Sequence, residues 1–289
     1  MDFGTFSSEA WAQHATDPGA VARRLDAGAA LVQDEAQLNA LMHLAHHVHG
    51  DHLGAWRAGI AFIERLAAHP MFVPGGPSGQ AQTRYLASLR LCEGDAAVLE
   101  TLATSDRIRV GAIAGSALAE RDTARASRLL QEALALAEAA KLPASDPVNR
   151  ALAATGNNLA CALEEKTGRS AAERALMILA AQTARTYWAL AGTWLEAERA
   201  EYRLANTWLQ AGDLDRARTH AQACLDIVSA NDGAALERLS GWEALGLVER
   251  AAGNAGAHAH ALAQARAAFA ELDEADKAWC AESIDKLAA

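Results

Sequence analysis

The sequence has little proline and no closely spaced cysteines, and the cysteine spacing excludes common metal and redox motifs. Only 6 of its 289 residues are proline and only 4 are cysteine. The cysteines are far apart along the chain, so no pair has the CxxC spacing of zinc knuckles or thioredoxin-like sites. Cysteines isolated in alanine-rich helical surroundings usually act as small apolar residues. These four are Cys92, Cys161, Cys224 and Cys280.

Long apolar runs and basic runs are also missing. No uninterrupted apolar stretch of about 18 residues is available for a membrane span, and the start MDFGTFSSEAW lacks the basic-then-apolar pattern of a secretory signal. The net charge of −10 disfavours binding to phosphate backbones. We therefore expect a cytoplasmic, reduced protein with neither nucleic acid nor membrane as its partner.

Sequence motifs of common catalytic sites do not occur. There is no GxxxxGK[ST] phosphate loop, no GxGxxG after a strand and no GxSxG. We therefore predict no catalytic residue and no cofactor, and expect the protein not to be an enzyme.

Alanine is the most abundant residue, with 73 of the 289 positions. Alanine is the best helix former, so this excess predicts an all-α protein. Two segments match when position 204 is aligned with position 245: LANTWLQAGDLDRARTHAQAC (204–224) and LGLVERAAGNAGAHAHALAQA (245–265). Each has a glycine, Gly212 or Gly253, between two helical stretches. Repeated units of this kind predict helical hairpins that stack to bury their apolar faces.

This pattern resembles the tetratricopeptide repeat family, in an extended form of about 41–45 residues per repeat. The resemblance covers roughly residues 31–273 and is strongest from about residue 150 onward. It departs from the family in exceeding the usual 34-residue spacing and in lacking the proline that ends each unit. The residues that carry it are Ala205, Trp208, Gly212, Ala217, Ala221 and Cys224, with their counterparts in the second matched segment.

The resemblance implies a right-handed α-solenoid of stacked antiparallel helix hairpins. It also implies a concave groove, lined by the first helix of each hairpin, that binds a protein or peptide segment as a scaffold or adaptor. Polar side chains there suit recognition of peptide backbone or carboxylates. Transferred to this sequence, the groove positions are Asn39, Met42, His46, His49, Arg84, Asn157, Arg199, Tyr202 and Asn206.

Two domains are expected, which together form one continuous solenoid. Residues 1–79 would hold N-terminal helices and a degenerate first hairpin that turns near Gly50 and Asp51, and residues 80–289 would hold the repeats and a capping helix. The segment HPMFVPGGPSGQ (69–80) predicts a long loop between them. Asp146 and Pro147 predict a helix start.

The stretch MHLAHHVHGDH (42–52) contains five of the ten histidines. Helical spacing predicts that Leu41, Leu44, Ala45 and Val48 form a buried stripe, which places the histidines on different faces. The closest metal-like pair is His43 and His47, but leucine stands where a zincin has glutamate. We therefore predict no metal site.

Two alternatives to the scaffold stay open. One is a sensory module whose curvature changes on binding a signalling peptide or small ligand. The other is a metal protein or enzyme that uses the histidines of 43–52.

Overall fold

The computed structural model describes all 289 residues and contains fourteen α-helices and no strand, which confirms the all-α prediction. The chain divides into two compact units, Met1–Val148 (unit 1) and Asn149–Ala289 (unit 2). None of the helices combines the length and apolar character that a membrane crossing requires.

The loop that the sequence placed at a domain boundary lies within unit 1. The helix that follows it packs back on the two helices that precede it, so the chain stays in one compact unit across residues 69–76. The division between units falls instead at residues 148 and 149. Just before it, the carboxylate of Asp146 accepts the N–H of Val148 at 2.9 Å, as the predicted helix start required.

Unit 1 contains seven α-helices and three short helical segments. The segments are one π turn, His47–His52, and two 3-10 helices, Leu66–Ala68 and Ala96–Thr101. The α-helices are α1 (Phe3–Gln13), α2 (Pro18–Ala29), α3 (Glu35–His46), α4 (Trp56–Arg65), α5 (Pro77–Glu93), α6 (Thr104–Leu118) and α7 (Thr123–Ala140).

Bulky side chains fill the core of unit 1. Phe6, Leu25, Leu38 and Ile63 are at most 1 % exposed and belong to one cluster. The predicted stripe, which runs from α3 into the π turn, is confirmed, because every one of its members is also at most 1 % exposed. These members are Leu41, Leu44, Ala45 and Val48.

The turn of the first hairpin lies later than the sequence predicted. Gly50 and Asp51 belong to the π turn, and the chain reverses at Gly54, whose φ of +58° is left-handed. A side chain at Gly54 would also collide with Arg121, because an added Cβ would lie 2.2 Å from its Nε. Glycine is therefore required there by both conformation and space.

Unit 2 is a run of three helical hairpins followed by a final helix. The first helices of the hairpins are α8 (Val148–Glu165), α10 (Trp194–Ala211) and α12 (Ala235–Ala251). The second helices are α9 (Ala171–Ala191), α11 (Leu214–Ala230) and α13 (Ala255–Ala270), and α14 (Glu274–Ala288) packs on the last hairpin.

Two equivalent glycines terminate the first helices α10 and α12. Gly212 has φ +86° and Gly253 has φ +73°, and both occupy the left-handed conformation at the turn where the sequence placed them. Buried alanines such as Ala205, Ala221 and Ala244 then let neighbouring helices approach closely. The offset between the two matched segments therefore corresponds to a repeated helix–turn–helix unit.

Helix starts are fixed in the same way in both units. Four helices of unit 1 and two of unit 2 begin with an aspartate whose carboxylate accepts a backbone N–H three residues on, which satisfies a donor that the helix leaves free. These aspartates are Asp2, Asp17, Asp34, Asp122, Asp213 and Asp273.

Candidate functional site

A cavity of about 580 Å³ lies along the three first helices of unit 2. This volume falls in the range typical of ligand sites. Its lining includes Arg150 and Asn157 from α8, Glu198 and Tyr202 from α10, and Trp279 from α14. A neighbouring cavity of about 470 Å³ shares Tyr202 and Trp279, so the two cavities adjoin.

Polar contacts between successive hairpins hold the first helices side by side. The Arg203 guanidinium on α10 pairs with Glu164 on α8. Toward α12, Arg199 pairs with Glu237 at 3.4 Å, and the Tyr202 hydroxyl donates to Glu243 at 3.1 Å.

These contacts join residues 38 to 41 positions apart, which matches the repeat offset. The same repeat that sets the fold therefore also places charged groups along one face.

Glu198 is the exception among these paired groups. It is 1 % exposed, and neither of its carboxylate oxygens has a hydrogen-bond partner. Burial, reinforced by the nearby charge of Glu237, raises the pKa of Glu198 to about 7. Buried polar groups in folded proteins are almost always hydrogen-bonded, so this carboxyl, on a residue that lines the cavity, has an unmet hydrogen-bonding capacity.

Glu201, one helical turn further along α10, shows the opposite arrangement. It accepts from Arg185 at 2.5 Å and from His220 at 2.6 Å. Burial acts to raise its pKa, but these two hydrogen bonds and the adjacent charges outweigh burial and hold the pKa below its usual value. Glu201 is therefore a satisfied structural group, whereas the buried carboxyl of Glu198 has no hydrogen-bond partner.

Apolar rings lie at the edge of the cavities. Trp279 is 74 % exposed and belongs to the lining of both. The Arg150 guanidinium lies 5.3 Å from the centroid of the Trp188 ring. Such a cation–π contact orients the arginine while leaving its N–H groups available.

The four groove residues predicted in this half of the chain come together here. Asn157, Arg199 and Tyr202 line the larger cavity, and Tyr202 and Asn206 line the smaller one. Sequence reasoning missed Glu198 and Trp279, because neither occupies a groove position of the repeat.

The groove residues predicted in unit 1 are placed differently. Met42, His46 and His49 are buried, at 0 %, 3 % and 8 % exposure, because α3 and the π turn pack against α5 and α6. They lie in the core and present no surface to a partner, which corrects the expectation for these three. Arg84 is half-buried and pairs with Asp106 at 3.2 Å, and Asn39 is also half-buried.

A second cluster of polar groups occurs where α1 meets the π turn. One ring nitrogen from each of His14, His47 and His52 lies within 4.8 Å of the other two. The sequence pointed to His43 and His47 instead, but the His43 ring lies against Trp11 and Tyr85. Nothing local in the sequence marks His14, which directly follows α1 and lies far before His47 in the chain.

The cysteines are poorly suited to nucleophilic chemistry. Burial raises the pKa of Cys92 to about 12 and also raises the pKa values of Cys161, Cys224 and Cys280. A catalytic thiol requires the opposite shift, toward the thiolate.

No protein-family model, curated protein or solved structure matches this chain. Its function must therefore be inferred from the geometry of its own sites. The cavities of unit 2 offer positively and negatively charged hydrogen-bonding groups beside exposed aromatic surface. This combination suits a ligand that has both polar and apolar parts.

Proposed function

We propose that unit 2 binds an extended peptide segment of a partner protein along α8, α10 and α12, as a non-enzymatic scaffold or adaptor. In this proposal the hairpins form a solenoid of the tetratricopeptide type, and the cavities are part of its concave groove. The observation that carries the proposal is the unpartnered carboxyl of Glu198 in a cavity that also contains Asn157, Arg199 and Tyr202.

Each group in the cavity has a counterpart in a peptide. A backbone N–H or a side-chain donor of the peptide satisfies Glu198, and the exposed guanidinium of Arg199 meets a carbonyl or carboxylate. An apolar side chain of the peptide packs on Trp279 at the rim. Exposed tryptophans of this kind commonly supply much of the binding energy at interfaces.

Selection from a displayed library of random peptides of about twelve residues, with the full chain as bait, tests the proposal. Calorimetry on the selected peptides then compares variants. We expect Trp279→Ala and Arg199→Ala each to weaken binding about tenfold or more. Asn206→Ala should weaken only peptides long enough to reach the second cavity.

Arg266→Ala is the matched control for Arg199→Ala. Arg266 is an exposed arginine on α13 and lines neither cavity, so its removal should change affinity less than about twofold. The proposal is wrong if no peptide is enriched, or if the enriched peptides bind all of these variants with equal affinity.

A further inference from the structure

The π turn brings together two histidines that an α-helix would separate. In an α-helix, residues five apart point about 140° away from each other. The wider π turn instead places the rings of His47 and His52 at a centroid distance of 4.6 Å, with their Nε2 atoms 3.0 Å apart. π segments are rare and are often found at functional sites.

A distant arginine fixes this turn. The guanidinium of Arg121 donates to the carbonyl oxygen of Asp51 at 2.7 Å and to that of His52 at 2.6 Å. The two carbonyls are at the end of the turn, where a helix leaves its acceptors free. The positions of His47 and His52 are therefore set by tertiary contacts.

Hydrogen bonds to the other ring nitrogens determine which atoms are available. His47 Nδ1 lies 2.7 Å from Asp51 Oδ2, and His14 Nδ1 lies 2.5 Å from the carbonyl oxygen of Trp11. A carboxylate and a carbonyl only accept, so both Nδ1 atoms carry the proton. The Nε2 atoms of His14 and His47 consequently present lone pairs. Histidines that bind metals are typically oriented in this way by a carboxylate or a backbone carbonyl.

We propose that His14, His47 and His52 bind one divalent transition-metal ion, of the zinc class, through their Nε2 atoms. Ligand nitrogens at about 2.0–2.1 Å from a tetrahedral zinc ion lie roughly 3.3 Å apart. The pair His47 and His52 already has nearly this separation. One ring nitrogen of each of the three histidines lies within 4.8 Å of the other two, so the half-buried His14 ring would complete the site by rotating its Nε2 toward the pair.

The surroundings favour such an ion over a hard cation. Three imidazoles select zinc, copper or nickel, whereas magnesium and calcium require oxygen ligands. Asp51 supplies a negative charge next to the triad, and its Oδ1 is buried without a partner. This charge offsets the positive charge of Arg121. Trp11 covers one side, with ring centroids 5.0 Å from His14 and 5.3 Å from His47.

The fourth coordination position would be filled by water or by a ligand from solution, since the protein offers three nitrogens here. The ion would tie α1 to the π turn, because His14 follows the last residue of α1. This site is separate from the proposed peptide cavity and does not depend on it.

Zinc titration of the full chain tests the proposal, using protein made without a polyhistidine tag and stripped with a chelator. Competition with a chromophoric chelator should show one zinc ion per chain, bound with a Kd of about 10 µM or tighter. His14→Ala, His47→Ala and His52→Ala should each weaken binding at least about tenfold, and Asp51→Asn about tenfold. His43→Ala and His260→Ala are histidine controls and should change the Kd less than about threefold.

Cobalt substitution in the parent protein supplies a readout that does not depend on folding of the variants. Co²⁺ should give the strong visible absorption of tetrahedral coordination, at one equivalent, and zinc should displace it. Weak octahedral absorption, binding of less than about half an ion per chain, or retention of the parent Kd in the folded His14→Ala variant would each overturn the proposal.

Discussion

The two units bury different kinds of residue. Unit 1 buries bulky aliphatic and aromatic side chains, and its buried polar residues are two histidines and two serines. Unit 2 packs many of its helix contacts with alanine and buries six glutamates. These glutamates are Glu173, Glu198, Glu201, Glu237, Glu243 and Glu249.

The difference shows what positions the helices in each unit. Side-chain volume positions the irregular helices of unit 1, whereas close helix contacts and ion pairs at the repeat spacing position the hairpins of unit 2. In that setting an unpartnered buried carboxyl is conspicuous, because the other five buried glutamates have hydrogen-bond partners. The stability of unit 1 should therefore be sensitive to the removal of side-chain volume. The stability of unit 2 should be sensitive to added side-chain volume and to the charge of buried groups.

The largest effect is expected from emptying the core of unit 1. Leu41→Ala should reduce the free energy of unfolding by about 2–5 kcal/mol, because Leu41 is fully buried and its neighbours cannot close the cavity completely. Native-state hydrogen exchange of the α3 amides measures this loss within unit 1. Leu190→Ala, at a leucine of unit 2 that is 59 % exposed, is the control and should cost less than about 0.5 kcal/mol.

The next largest effect is a pH dependence that belongs to unit 2. The pKa of Glu198 rises from 4.5 to about 7 on folding, so the folded protein holds this proton more tightly than the unfolded chain does. The contribution of Glu198 to the free energy of unfolding is therefore greatest below pH 4.5. It falls as the pH rises toward 7, and above pH 7 it no longer changes. The full loss is roughly 3 kcal/mol.

Glu198→Gln should remove this pH dependence, because glutamine does not ionise. The free energy of unfolding of the variant should therefore exceed that of the parent at pH 8 but not at pH 4.5. Urea unfolding across this pH range measures it. Glu274→Gln, at an exposed position of α14, should leave the pH profile of the parent unchanged. Parallel profiles for the parent and Glu198→Gln would show that Glu198 has an ordinary pKa.

A third test adds volume to unit 2. A Cβ at Gly156 would lie 2.6 Å from the carbonyl oxygen of Ala180 and 2.9 Å from the N of Ala184, both backbone atoms of α9. Gly156→Ala should therefore cost about 1–3 kcal/mol. Gly256→Ala in α13 meets no atom within 4 Å and should stabilise by about 0.4–1 kcal/mol. Thermal unfolding of both variants should show shifts of opposite sign.

The smallest effect, the loss of an aspartate at a helix start, should be of the same size in both units. Asp122→Ala in unit 1 and Asp213→Ala in unit 2 each remove a carboxylate that accepts a backbone N–H at 3.0 Å. Each should cost about 1 kcal/mol, measured by exchange of the first-turn amides of α7 and α11. A large difference between them would mean that the two units do not share this local device.

The regular part of the fold was predictable because its signals are local. Alanine content indicated helices, and Gly212 and Gly253 marked turns that need left-handed backbone. The same register predicted Asn157 and Tyr202 as neighbours along one face, and both line the larger cavity.

The irregular features depend on residues far apart in the chain. The π turn is held by Arg121, about 70 residues away, and the third histidine of its cluster directly follows α1. The unpartnered state of Glu198 depends on which side chains α12 brings near it. No short-range pattern in the sequence encodes these contacts.

Hydrogen–deuterium exchange of the full chain, with and without a selected peptide, tests the central claim most directly. The account predicts slower exchange in α8, α10 and α12 on adding peptide, with the second helices α11 and α13 and all of unit 1 unchanged. Protection confined to unit 1, or to α11 and α13, would contradict the assignment of the binding face to the first helices.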